Sequence, residues 1–413
     1  MGSSDLSKWS RKKILAGKVF SPGAPVDEQS LFAGRTEQVN DVVQASVQRG
    51  QHALIFGERG VGKTSLANVL SDFLDDIGDT NTLKSGSVNC DGQDNFERLW
   101  VKVLKELEVV LQTSGIGFMA QQEEESVPLH TILPDDPSPE DVRRLLQRYA
   151  ENTVIVIDEV DRINNGKAKN LLVDTIKTLS DHSVNTTLVM VGVADSVDDL
   201  IERHESIERA LVQVRMPRMS TDELSEILNN GLEVLEMTIQ DDARRRIVTF
   251  SQGLPHYTHL LGKHSATNAL ENEREGITLA DVHEATNVAL DKTQRSIRKR
   301  FHDAVATSYK DTLFVPVLVA CALAETDELG RFAAVDVRKP LSRITGDDYG
   351  IAAFSRHLND FSDTRGPVLH KEGKKRRYRY RFRNPLMQPY AIMHGFDEGL
   401  VDDNILEDFH PKN

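Results

Sequence analysis

The sequence predicts an α/β protein in which a five-stranded parallel sheet is followed by an all-helical lid and a winged helix. In the first half of the chain, five short apolar runs alternate with stretches of helical spacing. This alternation is typical of a parallel sheet covered by helices on both faces. After Pro217, four helical stretches follow one another without a strand between them. Near the end, helical stretches precede two β-like runs that flank Lys371–Lys374, the order of elements in a winged helix.

The strands are expected at residues 52–56, 87–90, 153–157, 187–191 and 211–214. Helices are expected at 36–48, 63–74, 95–111 and 167–180, and from Ser138 and Val197. Residues 114–137 have no periodic pattern and are expected to form an exposed insertion. Four lid helices follow at 221–235, 241–251, 255–272 and 279–291, the first with a capping box from Ser220 and Glu223.

These elements divide the chain into five parts: an N-terminal arm (1–32), a core (33–218), the helical lid (219–293), the winged helix (294–395) and a loosely held acidic tail (396–413). A length of 413 residues exceeds what one hydrophobic core usually serves. Cys90 and Cys321 have neither metal-ligand spacing nor a disulfide framework. The longest apolar run, 313–324, is too short to span a membrane, and the N-terminus lacks a secretory signal. We expect a cytoplasmic protein.

A glycine-rich segment joins the first strand to the next helix. Its sequence, GERGVGKTS, satisfies the pattern G-x-x-x-x-G-K-[ST]. Backbone N–H groups of such a loop, together with the helix N-terminus, attract phosphate, and the alternative is a chance glycine-rich turn. Lys63 is expected to reach the β and γ oxygens of ATP, and Thr64 to bind Mg²⁺. The predicted ATP contacts are Gly57, Glu58, Arg59, Gly60, Val61, Gly62, Lys63, Thr64 and Ser65.

An acidic pair follows the third apolar strand. Open α/β sheets bind their ligands at the carboxyl ends of the strands, which is where Asp158 and Glu159 lie. Asp158 is expected to hold Mg²⁺. Glu159 is expected to orient and deprotonate the water that attacks the γ-phosphate.

The phosphate loop, the Asp158–Glu159 pair, the lid and the winged helix together resemble the AAA+ ATPases over about residues 30–390. Within that class the sequence is most similar to origin-recognition-like initiators, transposition regulators and STAND signalling ATPases. The resemblance implies a P-loop (AAA+) sheet, ATP hydrolysis and a homo-oligomer. It also implies a polar sensor at the end of the fourth strand. Here that strand ends Gly192–Ser196 without the usual Asn, so Asp195 or Ser196 either replaces the sensor or caps the next helix.

Two further residues correspond to family motifs. Arg209 matches the position of an arginine finger that acts on a neighbouring subunit's ATP, or else it is a surface residue paired with Glu205. Gly253-Leu254-Pro255 resembles the G-x-P motif of STAND proteins, whose proline packs near adenine. No Arg follows as a second sensor, which favours STAND-like or transposition-regulator relatives. The structural alternative is that Pro255 merely starts a helix.

The basic charge is concentrated near the end of the chain. Residues 365–383 carry nine Lys or Arg and one Glu, in a chain of net charge −14. Strand alternation places Tyr378, Tyr380 and Phe382 on one face and arginines on the other. The cations expected to contact DNA or another partner are Lys374, Lys375, Arg376, Arg377, Arg379, Arg381 and Arg383. Alternatives are a solvated surface with no specific partner, an acidic protein surface, and a clamp onto Glu123–Glu125 or the tail acids.

Two functions follow from the resemblance. In the first, an ATP-hydrolysing oligomer engages DNA through its basic winged helix. In the second, a STAND-type signalling or antiviral-defence switch uses the winged helix to bind a protein effector. A third, non-hydrolysing interpretation treats ATP as a structural ligand. No membrane contact is expected.

Overall fold

The computed structural model describes residues 8–25, 32–77, 84–107, 129–148, 152–195, 197–200, 207–307, 312–374 and 377–409. The chain divides into two compact units. The core unit comprises Val26–Glu58 and Lys63–Met216. The C-terminal unit comprises Met1–Pro25, Arg59–Gly62 and Pro217–Asn413. No helix among the described residues is long and apolar enough to cross a membrane.

The first helix, α1 (Lys8–Val19), belongs to the C-terminal unit. In the core unit, α2 (Thr36–Val47) precedes a five-stranded sheet whose strand order is β2-β3-β4-β1-β5. The strands are β1 (His52–Gly57), β2 (Lys84–Asn89), β3 (Thr153–Asp158), β4 (Thr186–Val193) and β5 (Leu211–Met216). All neighbouring strands are parallel, as the sequence predicts. The helices between them are α3 (Lys63–Ile77), α4 (Phe96–Glu106), α5 (Pro139–Arg148), α6 (Gly166–Asp181) and α7 (Val197–Leu200).

Every residue of β1 and β3 is buried, which explains why these strands are apolar runs without alternation. Trp100 of α4 is fully buried in the core between helices and sheet. Most of the predicted insertion at 114–137 lies outside the described residues. Its last part was expected to be exposed, but Leu129 is 1% exposed and packs in the core.

In the lid, the four predicted helices are present as α8 (Thr221–Leu235), α9 (Asp241–Ser251), α10 (Pro255–Glu271) and α11 (Leu279–Lys292). The predicted capping box is formed, since Ser220 and Glu223 exchange hydrogen bonds. The lid is not entirely helical, because β6 (Thr238–Ile239) and β7 (Gly276–Ile277) form a short parallel pair.

Residues 8–25 pack on the lid and do not form a separate arm. Phe20, just after α1, is fully buried against α8 and α10. A Cβ at Gly231 would lie 2.5 Å from its ring, and one at Gly262 would lie 3.1 Å from it. The two glycines therefore leave the space that the ring fills. His256 Nδ1 donates to the Pro22 carbonyl at 2.8 Å, which also fixes this segment.

The rest of the C-terminal unit combines helices with a three-stranded antiparallel sheet of order β8-β10-β9. Its helices are α12 (Arg295–Val305), α13 (Phe314–Leu323), α14 (Ala334–Thr345), α15 (Ile351–Asp363), α16 (Met387–Asp397) and α17 (Asp403–Asp408). Its strands are β8 (Phe332–Ala333), β9 (Leu369–Glu372) and β10 (Arg379–Phe382). The hairpin turn begins later than predicted, because Lys371 and Glu372 still pair with β10.

The acidic tail is docked as far as residue 409, contrary to the expectation that it is loosely held. Ile405 and Leu406 of α17 are buried. Asp403 is paired with Arg246, and Asp408 Oδ2 accepts from Arg343 Nε at 2.9 Å. The free energy gained by burying these two aliphatic side chains exceeds the tendency of the surrounding acidic residues to remain in solvent.

Candidate nucleotide site

The phosphate loop leaves β1 through a glycine that no other residue can replace without strain. Gly57 has φ of 153°, and a Cβ there would lie 2.4 Å from the Met216 carbonyl oxygen of β5. Gly60 and Gly62 also have positive φ, at 89° and 98°. These conformations turn the backbone through the tight loop before α3 begins at Lys63.

Lys63 is the buried cation of this loop, whereas Arg59 is exposed. Its ammonium group donates to the carbonyl oxygens of Gly57 at 3.0 Å and Glu58 at 2.7 Å. The residue is only 7% exposed. Its position at the start of α3 places a positive charge beside a helix N-terminus, and both features attract an anion.

The structure brings the two predicted magnesium ligands together. Thr64 Oγ1 donates to Asp158 Oδ2 at 2.7 Å, and the Glu159 N–H donates to Asp158 Oδ1 at 2.6 Å. Burial raises the pKa of Asp158, even though these hydrogen bonds and the Lys63 charge act in the opposite direction. A hydroxyl and a carboxylate at this distance are oxygen ligands of the kind that Mg²⁺ prefers, so the residues fit the ion.

Glu159 follows β3 in a left-handed conformation, with φ of 58°. Its carboxylate accepts from Arg162 Nη1 at 2.6 Å, and both side chains are about half exposed. Arg162 was not predicted from the sequence, although a basic residue three positions after an acidic one is a recognisable signal for such a pair. Asp161, between them, accepts from the Val193 N–H at 2.8 Å and so ties this segment to the end of β4.

The expected sensor position is only partly described. Asp195 follows β4 and is half-buried, whereas Ser196 lies outside the described residues. Gly192 is required near this end of β4, because a Cβ would lie 2.7 Å from Leu200 and 2.9 Å from Val160.

Arg209 lies far from this chain's phosphate loop. It is exposed in the turn before β5, at the amino end of the sheet. The loop lies at the carboxyl end of β1, which runs parallel to β5. Six strand residues separate the two ends, a distance of about 20 Å. Glu205, its alternative partner, lies outside the described residues.

Pro255 lies close to residues 59–62 of the phosphate loop, which belong to the C-terminal unit. A Cβ at Gly62 would lie 4.0 Å from Pro255 Cγ, and one at Gly60 would lie 3.5 Å from Leu386 Cδ2. Tyr257, two residues after Pro255, donates its hydroxyl to the Leu386 carbonyl at 2.8 Å. Leu386 was missed because nothing local in its sequence connects it with a loop more than 300 residues earlier.

The predicted cations of the basic hairpin differ in their surroundings. Tyr380 and Phe382 are buried, and Arg377 and Arg379 are exposed on the other face, as alternation predicts. Arg383, in contrast, donates to two backbone carbonyls, those of Leu369 at 2.9 Å and Ser362 at 3.3 Å.

Several other cations of the set are exposed or outside the described residues. Lys374 is exposed and Arg381 is half-buried, whereas Lys375 and Arg376 lie outside the described residues. The tail acids Asp403 and Asp408 are paired with Arg246 and Arg343, so those two carboxylates do not clamp the hairpin.

Comparison with known proteins identifies similar sequences and folds. Residues 46–201 match the family model of the AAA domain. A search of curated proteins found no match. The ORC2 protein of Aeropyrum pernix, solved as ADPNP and ADP complexes, is 14% identical, with a TM-score of 0.50 over 95% of this chain and 98% of that one.

Two other solved structures are similar. The Cdc6p protein of Pyrobaculum aerophilum is 14% identical, with a TM-score of 0.47 over 93% of this chain and 99% of that one. The ORC1 protein of Aeropyrum pernix, solved in complex with DNA, is 15% identical, with a TM-score of 0.47 over 94% and 97%. The AAA domain match covers the phosphate loop and the Asp158–Glu159 pair.

Proposed function

We propose that this chain, an AAA+ P-loop protein with an origin-recognition-like fold, binds and hydrolyses ATP with Mg²⁺ and couples nucleotide state to oligomerisation and DNA engagement. The observation that carries the ATPase proposal is the 2.7 Å contact between Thr64 and Asp158, next to the buried Lys63. When bound there, Mg²⁺ would stabilise the charge on the phosphates of ATP.

The residues of the chain have separate roles in this proposal. Lys63 binds phosphate oxygens, and Thr64 and Asp158 hold the metal. Glu159 accepts a proton from the attacking water. To do so, its carboxylate has to leave Arg162, which is a small step because a half-exposed ion pair contributes only about 0–1 kcal/mol.

The test compares Glu159→Gln with Lys63→Ala. Glu159→Gln keeps the loop and the metal ligands, so it should retain bound ATP while hydrolysis falls by about 10²–10⁴-fold. Lys63→Ala should lose ATP binding itself. Retained nucleotide is measured after gel filtration, and hydrolysis as phosphate release. A Glu159→Gln variant that hydrolyses ATP at the parent rate would remove Glu159 from the reaction.

We propose that Arg209 acts on the ATP of a neighbouring subunit. Its place at the amino end of the sheet supports this role, because it is about 20 Å from the carboxyl end that carries its own phosphate loop. Arg209→Ala should therefore bind ATP without hydrolysing it.

A mixing experiment tests the assignment. Arg209→Ala and Glu159→Gln proteins are each inactive alone, but together they should recover activity, since an intact arginine then faces an intact site. An Arg209→Ala protein with the parent rate, or a mixture that stays inactive, contradicts the role in a neighbouring site.

We also propose that helices α13–α15 and strands β8–β10 form a winged helix that binds DNA through its hairpin. The exposed Lys374 and Arg377 support this, because they carry accessible positive charge on the hairpin whose Tyr380 and Phe382 are buried. The double variant Lys374→Gln/Arg377→Gln should weaken the binding of duplex DNA. Because it loses about two phosphate contacts, the slope of log affinity against log salt concentration should become shallower by about 1.8. Unchanged binding would favour a protein effector.

The position of Pro255, whose Cγ lies 4.0 Å from where a Cβ on Gly62 would be, favours a second candidate, a STAND-type switch. A lid residue next to the phosphate loop can respond to the nucleotide and change how the lid packs. Solution mass with ADP and with an ATP analogue is the test. A switch changes mass between the two nucleotides, and a monomer in both excludes it.

A further inference from the structure

Helix α12 is anchored to the C-terminal unit through one face. Ile297, Phe301 and Ala304 are at most 3% exposed. The Phe301 ring lies 5.2 Å from the ring centroid of Tyr390 and 4.5 Å from that of His394, both in α16. The orientation of the helix is therefore determined by its apolar side, and its other side is left to solvent.

That other side is strongly cationic. Arg295, Lys299 and His302 are exposed and lie at i, i+4 and i+7, which places them on one face of the helix. Arg298 and Arg300 are exposed beside them, and Asp303 is the only acid within the helix. Arg295 and Lys299, four residues apart, are about 6 Å apart along the helix axis. We call this surface the α12 basic face.

Its charge is not balanced by neighbours, unlike that of comparable arginines in the same unit. Arg338 pairs with Asp348 at 2.8 Å, and Arg343 donates to Asp408 at 2.9 Å. Among the described residues, Arg295, Lys299 and Arg300 form no ion pair, while Arg298 donates to the Asp291 backbone carbonyl. Like charges at i, i+4 destabilise a helix slightly, so an unpaired cluster is not explained by stability.

The α12 basic face adjoins the segment that leads into the basic hairpin. Gly366 has φ of 60°, and a Cβ there would lie 2.6 Å from the Arg300 carbonyl oxygen. Arg365 Nη1 donates to the Ala306 carbonyl at 2.7 Å, at the end of α12. The strand β9 begins at Leu369, three residues after Gly366. Packing therefore holds the helix next to the base of the hairpin.

We propose that the α12 basic face is a second nucleic-acid contact, which binds phosphates of the same DNA that the hairpin engages. This inference rests on the proposed DNA engagement. Protein interfaces generally need a buried apolar centre, and no large hydrophobic side chain of α12 is exposed. A cationic face without apolar anchors fits a phosphate backbone better than a protein surface.

The test compares two double variants that change the net charge equally. Arg295→Gln/Lys299→Gln alters the α12 basic face, and Arg338→Gln/Arg343→Gln removes two acid-paired arginines of the same unit. Binding of the full chain to a fluorescent duplex of mixed sequence is measured over a series of salt concentrations. Thermal unfolding confirms that both variants are folded.

The α12 variant should make the slope of log affinity against log salt shallower by about 1.8, that is 0.9 for each lost phosphate contact. The control variant should keep the parent slope. An α12 variant with the parent slope overturns the inference, while loss of binding in the hairpin variant would still support DNA engagement. A parent chain with no salt-dependent DNA binding overturns both proposals.

Discussion

His52 makes the stability of the core unit depend on pH. It is the first residue of β1, the strand that leads to the phosphate loop, and it is fully buried. Its Nδ1 accepts the Leu188 N–H at 3.0 Å, so the proton is on Nε2, which has no hydrogen-bond partner among the described residues. Burial lowers the pKa of His52 from 6.5 to about 4.

The sign of the effect follows from the two pKa values. In the unfolded chain His52 takes up a proton as the pH falls below 6.5, whereas in the folded protein it stays neutral until about pH 4. Acid therefore favours the unfolded state. Integrating over the two titrations, His52 alone removes about 2 kcal/mol of the free energy of unfolding between pH 7 and pH 5.

The perturbation is His52→Asn, whose amide oxygen can accept the same backbone N–H but does not titrate. Trp100 is buried in the core unit, so a Trp9→Phe background makes its fluorescence the only tryptophan signal of unfolding. Urea unfolding is recorded at pH 7 and pH 5 for the background protein and the variant. The cavity in the variant lowers stability at both pH values and cancels in the difference.

The background protein should lose about 2 kcal/mol more than the His52→Asn variant between pH 7 and pH 5. Other buried histidines contribute to the total loss but not to this difference. Equal losses in the two proteins would refute the reasoning, because His52 would then titrate alike in the folded and unfolded states.

Three further substitutions have expected outcomes. Gly231→Ala should cost about 1–3 kcal/mol in urea unfolding, since its Cβ would lie 2.5 Å from the Phe20 ring. Asp158→Asn should abolish Mg²⁺-dependent hydrolysis, because it removes a proposed metal ligand. Without metal, the same variant should have a higher melting temperature than the parent at pH 7. Burial raises the pKa of the Asp158 carboxyl, so its negative charge destabilises the folded state at that pH. Tyr257→Phe should cost about 1–3 kcal/mol in urea unfolding, because the buried Leu386 carbonyl loses its hydroxyl donor.

Matched measurements make these outcomes decisive. Gly166→Ala is the control for Gly231, since a Cβ at Gly166 meets nothing within 4 Å. Equal stability of the two glycine variants would mean that Phe20 does not fill the space beside Gly231. An unchanged or lower melting temperature in Asp158→Asn would contradict the burial cost. A Tyr257→Phe protein as stable as the parent would show that the hydroxyl makes no net contribution.

The sheet, the glycine loop and the position of Asp158 beside it were predictable because their determinants are local. A glycine pattern between an apolar strand and an amphipathic helix occupies adjacent residues, and Asp158 follows its strand directly. Parallel strands then bring their carboxyl ends to one edge, which is why Thr64 and Asp158 meet although they are 94 residues apart.

The sequence-based expectations were wrong or incomplete where the packing of a segment depends on residues that are distant in sequence. The N-terminal segment looked like an arm, but Gly231 and Gly262 provide a space for Phe20. The tail was expected to be loosely held because its acidic residues outnumber Ile405 and Leu406, the two buried aliphatic residues that anchor it. Arg383 is exposed as its sequence suggests, but its guanidinium donates to the carbonyls of Leu369 and Ser362, which nothing in the local pattern indicates.

The sequence by itself determined the class of sheet, the position of the phosphate loop and the acidic pair beside it. Each of these depends on residue types at short, regular spacing. Only the tertiary structure decided which cations are paired, since Arg343 and Arg295 look alike in sequence but, among the described residues, only Arg343 of these two meets a carboxylate. The physical reason is that the pairing of a side chain depends on neighbours in space, which the local pattern does not specify.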